Sequence, residues 1–167
     1  ASSFAMDAIP DPLRETYTKY LSRFPMLSVR EENALDFVRS LTGKEATLVL
    51  DPTIALDSAF WSKIADESSV HISESYLFVA EYSRSRRLWN DALALSKKFG
   101  WKIVSVYPPK GKFARASVLN QASPQDFLQL IRNAAYVLTD SYHMTIFSIN
   151  FGRPFLTYVT GIASSTM

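Results

Sequence analysis

The sequence predicts an α/β fold, an open parallel sheet flanked by helices. Three observations predict it. Apolar runs of strand length alternate with segments of helical period. A composition of 47% hydrophobic and 13% aromatic residues over 167 positions can bury a substantial core. No internal repeat or low-complexity tract interrupts the alternation.

Taken in order, PMLSV (25 to 29) is the first strand-like run, and REENALDFVRSLTG follows with Ala34, Phe37, Val38 and Leu41 on one helical stripe and Gly43 as the stop. ATLVL (46 to 50) then runs into Asp51 and Pro52. Asp57 opens a short helix with Phe60, Trp61 and Ile64 on one side, and the polar stretch DESSVHISES (66 to 75) reads as a linker. The alternation restarts with YLFVAEY (76 to 82), a helix around RRLWNDALALSKKFG that ends at Gly100, and WKIVSVY (101 to 107). The loop PPKGKFARASVLNQA is long for such a unit. Ser123 and Pro124 start a helix in cap and first-turn order, with Phe127, Leu130 and Ile131 inward. AYVLT (135 to 139) and PFLTYV (154 to 159) are the last strand candidates.

Composition narrows the function classes. Eighteen basic and sixteen acidic residues are interspersed, so no basic field points to nucleic acid. The absence of cysteine removes disulfides, thiolate metal sites and thiol nucleophiles, and it is compatible with the cytoplasm. No apolar run reaches the roughly 20 residues of a membrane span, although peripheral association stays open. The opening ASSFAMDAIP and the close TGIASSTM lead us to expect part of a longer chain. We find no metal-ligand spacing, glycine-rich phosphate loop or serine triad signature.

The stretch TDSYHMTIFSINFGRP (139 to 154) carries the chemistry. In an open parallel sheet, ligands bind beyond the carboxyl ends of the strands, where helix N-termini present unpaired N–H groups. With Asp140 or Ser141 as N-cap, His143 lies in the first helical turn, Ile146 and Phe147 anchor the helix, and Gly152 with Pro154 ends it. Two readings stand at this point. One is a capped helix with a partly exposed polar His143; the other is an anion site where a phosphate or carboxylate meets the imidazole.

TDSYHMTIFSINFGRPF resembles the signature of the polysaccharide pyruvyl transferase family, in which a strand ending in Thr-Asp leads to Ser-Phe-His or Arg-Phe-His, then Gly-Thr and a helix. SVREENALDFVRSLTGKEATLVLDPTIALDSAFW and PQDFLQLIRNAAYVLTDSYH resemble two further family blocks, so the likeness covers residues 27 to 61 and 124 to 158 in the family's order. Met144 stands where the family usually has Gly, narrowing the space beside His143, and Tyr142 replaces Phe.

The resemblance implies two Rossmann-like domains facing a cleft, as in two-domain glycosyltransferases of the B type. Residues 1 to 65 would end the N-terminal domain, 66 to 75 would link, and 76 to 167 would form most of the C-terminal domain. It implies transfer of the pyruvyl group of phosphoenolpyruvate, as donor substrate with no cofactor, onto a sugar or lipid-linked saccharide of a cell-surface polysaccharide. Ketal formation needs proton transfer and cationic groups that hold carboxylate and phosphate. His143 is the expected proton-transfer group. Asp140 would orient it or bind a sugar hydroxyl, and Ser141 and Thr145 of the matching motif would join it in binding substrate. Arg30 follows the PMLSV strand at a carboxyl edge, where its planar fork suits an anion, or it is a surface arginine paired with a neighbouring Glu.

Other groups have plainer readings beside functional ones. Arg84, Arg86 and Arg87 form a phosphate turn or a solvated face; Lys110, Lys112 and Arg115 touch a diphosphate or form a mobile basic loop; His71 is a linker residue; Asp51 ends a strand or faces the cleft. The rival functions are a glycosyltransferase using a nucleotide sugar and a non-catalytic carbohydrate or anion-binding module.

Overall fold

A computed structural model describes residues 9–107, 116–119 and 121–159, and the chain divides into two compact units, Ala1–Ala55 and Leu56–Met167. Lys110, Lys112 and Arg115 lie outside the described residues.

In the first unit, α1 (Asp11–Leu21) is followed by β1 (Ser28–Val29), α2 (Asn33–Thr42), β2 (Thr47–Leu48) and the single turn α3 (Pro52–Ala55). The stripe expected on α2 is real: Ala34, Val38 and Leu41 are buried with Ile9 and Val29, and Phe37 packs at the edge of the cluster. Gly43 ends α2 with a φ of 67°, a left-handed conformation that costs a Cβ-bearing residue energy. The two expected strands shorten to a two-residue parallel ladder, Ser28 to Thr47 and Val29 to Leu48. Leu48 and Leu50 remain 49% and 67% exposed within the chain, so burial does not extend the second strand.

The second unit holds α4 (Ser58–Ala65), β3 (Tyr76–Ala80), α5 (Arg86–Phe99), β4 (Lys102–Ser105), β5 (Ser117–Val118), α6 (Pro124–Asn133), β6 (Tyr136–Thr139), α7 (Tyr142–Asn150) and β7 (Phe155–Thr157). The five strands pair in parallel in the order β5-β4-β3-β6-β7. This is the parallel sheet flanked by helices that the alternation predicts. All five residues of β3 are buried, as a strand covered on both faces requires. Leu77 and Val79 pack with Leu88, Trp89 and Ala92 of α5, whereas Tyr76, Phe78 and Ala80 pack with Leu130 and Ile131 of α6 and Met144 of α7. The period-two alternation of one strand thus builds both layers.

Two helix starts, those of α4 and α6, follow the side chains expected to cap them. Asp57 accepts the Phe60 N–H at 2.9 Å, and Ser123 and Asp126 form a reciprocal capping box on α6. The second unit begins at Leu56, and α4 packs on α6, with the Arg132 guanidinium donating to the Ser62 carbonyl at 3.1 Å and pairing with Asp66 at 2.6 Å. Segment 66–75, read as a linker, lays Val70 and Ile72 on the core and ties Ser68 to Asp126 at 2.6 Å. Polar composition hid these two apolar anchors.

Candidate functional site

The chain runs outward from β3 through β4 to β5, then returns to place β6 on the other side of β3. The reversal makes the carboxyl ends of β3 and β6 the topological switch point, where open α/β sheets bind ligands. The turn after β3 and the motif TDSYH after β6 meet there.

Thr139, fully buried, donates from Oγ1 to the Ala80 carbonyl at 2.6 Å and accepts the Ser141 N–H at 3.0 Å. Asp140 accepts the Tyr82 N–H on Oδ1 at 2.9 Å and the Ser83 N–H on Oδ2 at 2.8 Å. Ser141 occupies the N-cap position of α7 with extended backbone, yet its side chain makes no capping bond. The expected cap by Asp140 or Ser141 is therefore corrected. The Asp140 carboxylate reaches across to the β3 turn, and Ser141 contributes its carbonyl, which accepts from Thr145 N and Oγ1 at 3.1 and 2.9 Å. Thr145 Oγ1 also lies 2.7 Å from Thr157 Oγ1 at the end of β7.

His143 is the second residue of α7, partly buried, with its ring edge-on to Tyr142 at 5.3 Å between centroids. Successive helical residues diverge by roughly 100°. Met144 accordingly enters the core with Phe78 and Val137 at 9% exposure. Met144 and Ser148 are the buried residues of α7.

Arg30 belongs to the first unit. Its guanidinium pairs with Asp51 and lies 3.8 Å from Glu31, so its principal partner is a carboxylate 21 residues away. Asp51 is 4% exposed and also accepts the Thr53 N–H at 2.9 Å and its hydroxyl at 2.5 Å. Burial works against its ionisation, but the two Thr53 bonds and Arg30 outweigh it and hold the carboxyl below its ordinary range.

The turn between β3 and α5 answers the arginine question. Glu81 accepts the Ser85 N–H at 2.6 Å and the Trp89 indole N–H at 3.2 Å, while Asp140 takes the amides of Tyr82 and Ser83. Three backbone donors that a phosphate would use in this turn already serve carboxylates. Arg84 sits at φ 60° and, with Arg86 and Arg87, is exposed. Beside the turn, Ser83, Ser85, Arg87, Thr157 and Tyr158 line a crevice of about 550 Å³. The Tyr158 hydroxyl donates to Asp91 at 2.6 Å. On the other face of the sheet, an apolar hollow of about 490 Å³ opens between Tyr82, Tyr107, Phe127 and Trp61. Sequence reading names none of Glu81, Tyr82, Tyr107 or Tyr158, because nothing in residue type or spacing joins them. His71 is exposed in segment 66–75. Among the described residues no three His, Cys, Asp or Glu side chains group as metal ligands, and no helix is long and apolar enough to cross a membrane.

A parallel α/β unit of this order places bound ligands at its switch point. The family model for polysaccharide pyruvyl transferase matches residues 1–160, and the chain belongs to that family. Among solved structures it is similar to the E. coli heptosyltransferase WaaC with ADP-2-deoxy-2-fluoro heptose, at 15% identity and a TM-score of 0.45 over 75% of this chain and 43% of that one. It is also similar to the iron-containing dodecameric glycosyltransferase TibC from enterotoxigenic E. coli H10407, at 14% identity and a TM-score of 0.42 over 71% of this chain and 33% of that one. The chain thus spans less than half the length of either structure. Among the curated proteins no match was found.

Proposed function

We propose that this chain forms part of an enzyme that moves the pyruvyl group of phosphoenolpyruvate onto a sugar of a cell-surface polysaccharide or its precursor. Two sugar hydroxyls add to the enol carbon, one of their protons ends on the methylene carbon as it becomes methyl, and inorganic phosphate leaves with the other. His143 is the proton-transfer group in this reading, and Ser141 helps to hold the anionic donor. Thr145 supports the helix start from which His143 projects. The enclosing architecture is the two-domain, glycosyltransferase-B-like one, and we place the reaction in the cytoplasm.

Family membership supports the transferase class, and one observation carries the assignment of the site: His143 lies in the first turn of a helix that starts at the carboxyl edge of a parallel sheet, at its switch point. The test uses the intact protein with phosphoenolpyruvate and a panel of lipid-linked and nucleotide-linked saccharides, followed by phosphorus NMR. Phosphate release should fall by roughly 10²- to 10⁴-fold in His143→Gln. Unchanged release in that variant would remove His143 from the chemistry, and turnover of a nucleotide sugar without phosphoenolpyruvate would replace the whole reading.

A further inference from the structure

The apolar hollow on the α6 and α7 side of the sheet has no part in the chemistry assigned to His143. Its walls are aromatic. Trp61 and Phe147 meet edge-on at 5.1 Å, and opposite them Tyr82 meets Tyr107 at 4.9 Å and Tyr107 meets Phe127 at 6.4 Å. Met144 closes the floor. Tyr82 and Tyr107 are 52% and 41% exposed at the mouth, and their hydroxyls stand 3.5 Å apart. The hollow lies where β3 and β4 end, the ligand edge of this sheet.

These features select among occupants. A pyranose brings several hydroxyls, and walls offering almost nothing but hydrocarbon and ring faces would leave most of them without partners. An isoprenoid or acyl chain would satisfy the walls and make no use of two adjacent phenol hydroxyls at the rim. A planar heteroaromatic ring satisfies both, since its faces stack on aromatic side chains and its edge needs a few hydrogen bonds. The backbone supports the same use. Asp140 holds the Tyr82 amide at 2.9 Å, so the motif that carries His143 also fixes the wall of the hollow. We propose that this hollow is a nucleobase site, which takes the base of a nucleotide-linked saccharide acceptor.

The acceptor role rests on the pyruvyl transfer reading, whereas base binding itself does not. The experiment therefore uses nucleosides without phosphoenolpyruvate: uridine, cytidine, adenosine and guanosine are titrated onto the intact protein, with Trp fluorescence and saturation-transfer NMR as readouts. At least one nucleoside should bind saturably and transfer saturation to its base protons. Tyr107→Ala should weaken it about tenfold, and Trp61→Phe should bind it while losing most of the fluorescence change. Tyr107→Phe keeps the ring and serves as the folding control, expected to retain stacking while the preference among bases shifts. Absence of saturable binding by any of the four, or binding unaffected by Tyr107→Ala, overturns the proposal. Binding of geranyl phosphate alone that depends on Tyr107 also overturns it, in favour of a lipid site. Nucleoside binding without phosphate release would uphold the base site while rejecting the pyruvyl reading.

Discussion

Asp140 and Ser83 are joined by a 2.8 Å bond from the Ser83 amide to Oδ2, made across the switch point of the sheet. Together with the Tyr82 bond to Oδ1 it turns one carboxylate into a brace between two loops. Asp140→Asn keeps the shape but presents an NH₂ group where an acceptor is needed, so one amide loses its partner. The expected loss is about 1–2 kcal/mol in urea unfolding. Faster hydrogen exchange at Tyr82 and Ser83 should accompany it. Lost activity with unchanged stability and exchange would instead assign Asp140 to the chemistry.

Arg30 and Asp51 give the first unit an acid-sensitive contact. The Asp51 carboxyl is held below its ordinary range in the folded chain, so it binds a proton less readily folded than unfolded. Its contribution is therefore full above the ordinary carboxylate pKa and is lost as pH falls through the lowered value. Acid titration followed by a probe in residues 9–55 should show this loss. Asp51→Asn should flatten that dependence and destabilise the unit by about 1–3 kcal/mol at neutral pH.

Met144 is the floor of the aromatic hollow and the anchor of α7. Met144→Ala removes a side chain that is only 9% exposed, and the resulting cavity should cost about 2–3 kcal/mol. Met144→Leu, close in volume, should cost less than about 1.5 kcal/mol. Thermal unfolding measures both. Equal stability of the Ala variant would show that the thioether does not hold the helix.

Much of the fold was legible because burial imposes period. Ala34, Val38 and Leu41 recur at helical spacing, and YLFVA reads as a strand covered on both faces. Helix α1 went unread although Leu13, Tyr17, Tyr20 and Leu21 recur at helical spacing; Tyr17 and Leu21 pack on the first core, but none of its residues is fully buried. Strand β5 is only two residues long and sits inside what reads as a loop. At the site, His143 and its place in the first turn were legible from the cap-like residues before it. The role of Asp140 was not, because its partners are backbone amides 57 and 58 residues away and a backbone amide has no residue type.

Tyr76 and Tyr158 make the fold sensitive to alkali. Tyr76 is 3% exposed and donates to the Leu130 carbonyl at 2.7 Å; burial pushes its ionisation upward. Tyr158 is raised by burial and then by its bond to the Asp91 carboxylate, which accepts only from the protonated hydroxyl. Both keep their protons in the folded chain at a pH where an unfolded tyrosine, with a pKa of about 10, has lost its own. The stability these phenols contribute is thus whole below about pH 10 and declines as pH rises beyond it. Spectrophotometric titration should show a group of phenols that ionise only as the protein unfolds. Tyr158→Phe should shrink that group by one and make the alkaline decline shallower; a decline of unchanged slope would show that the Asp91 bond does not hold the Tyr158 proton.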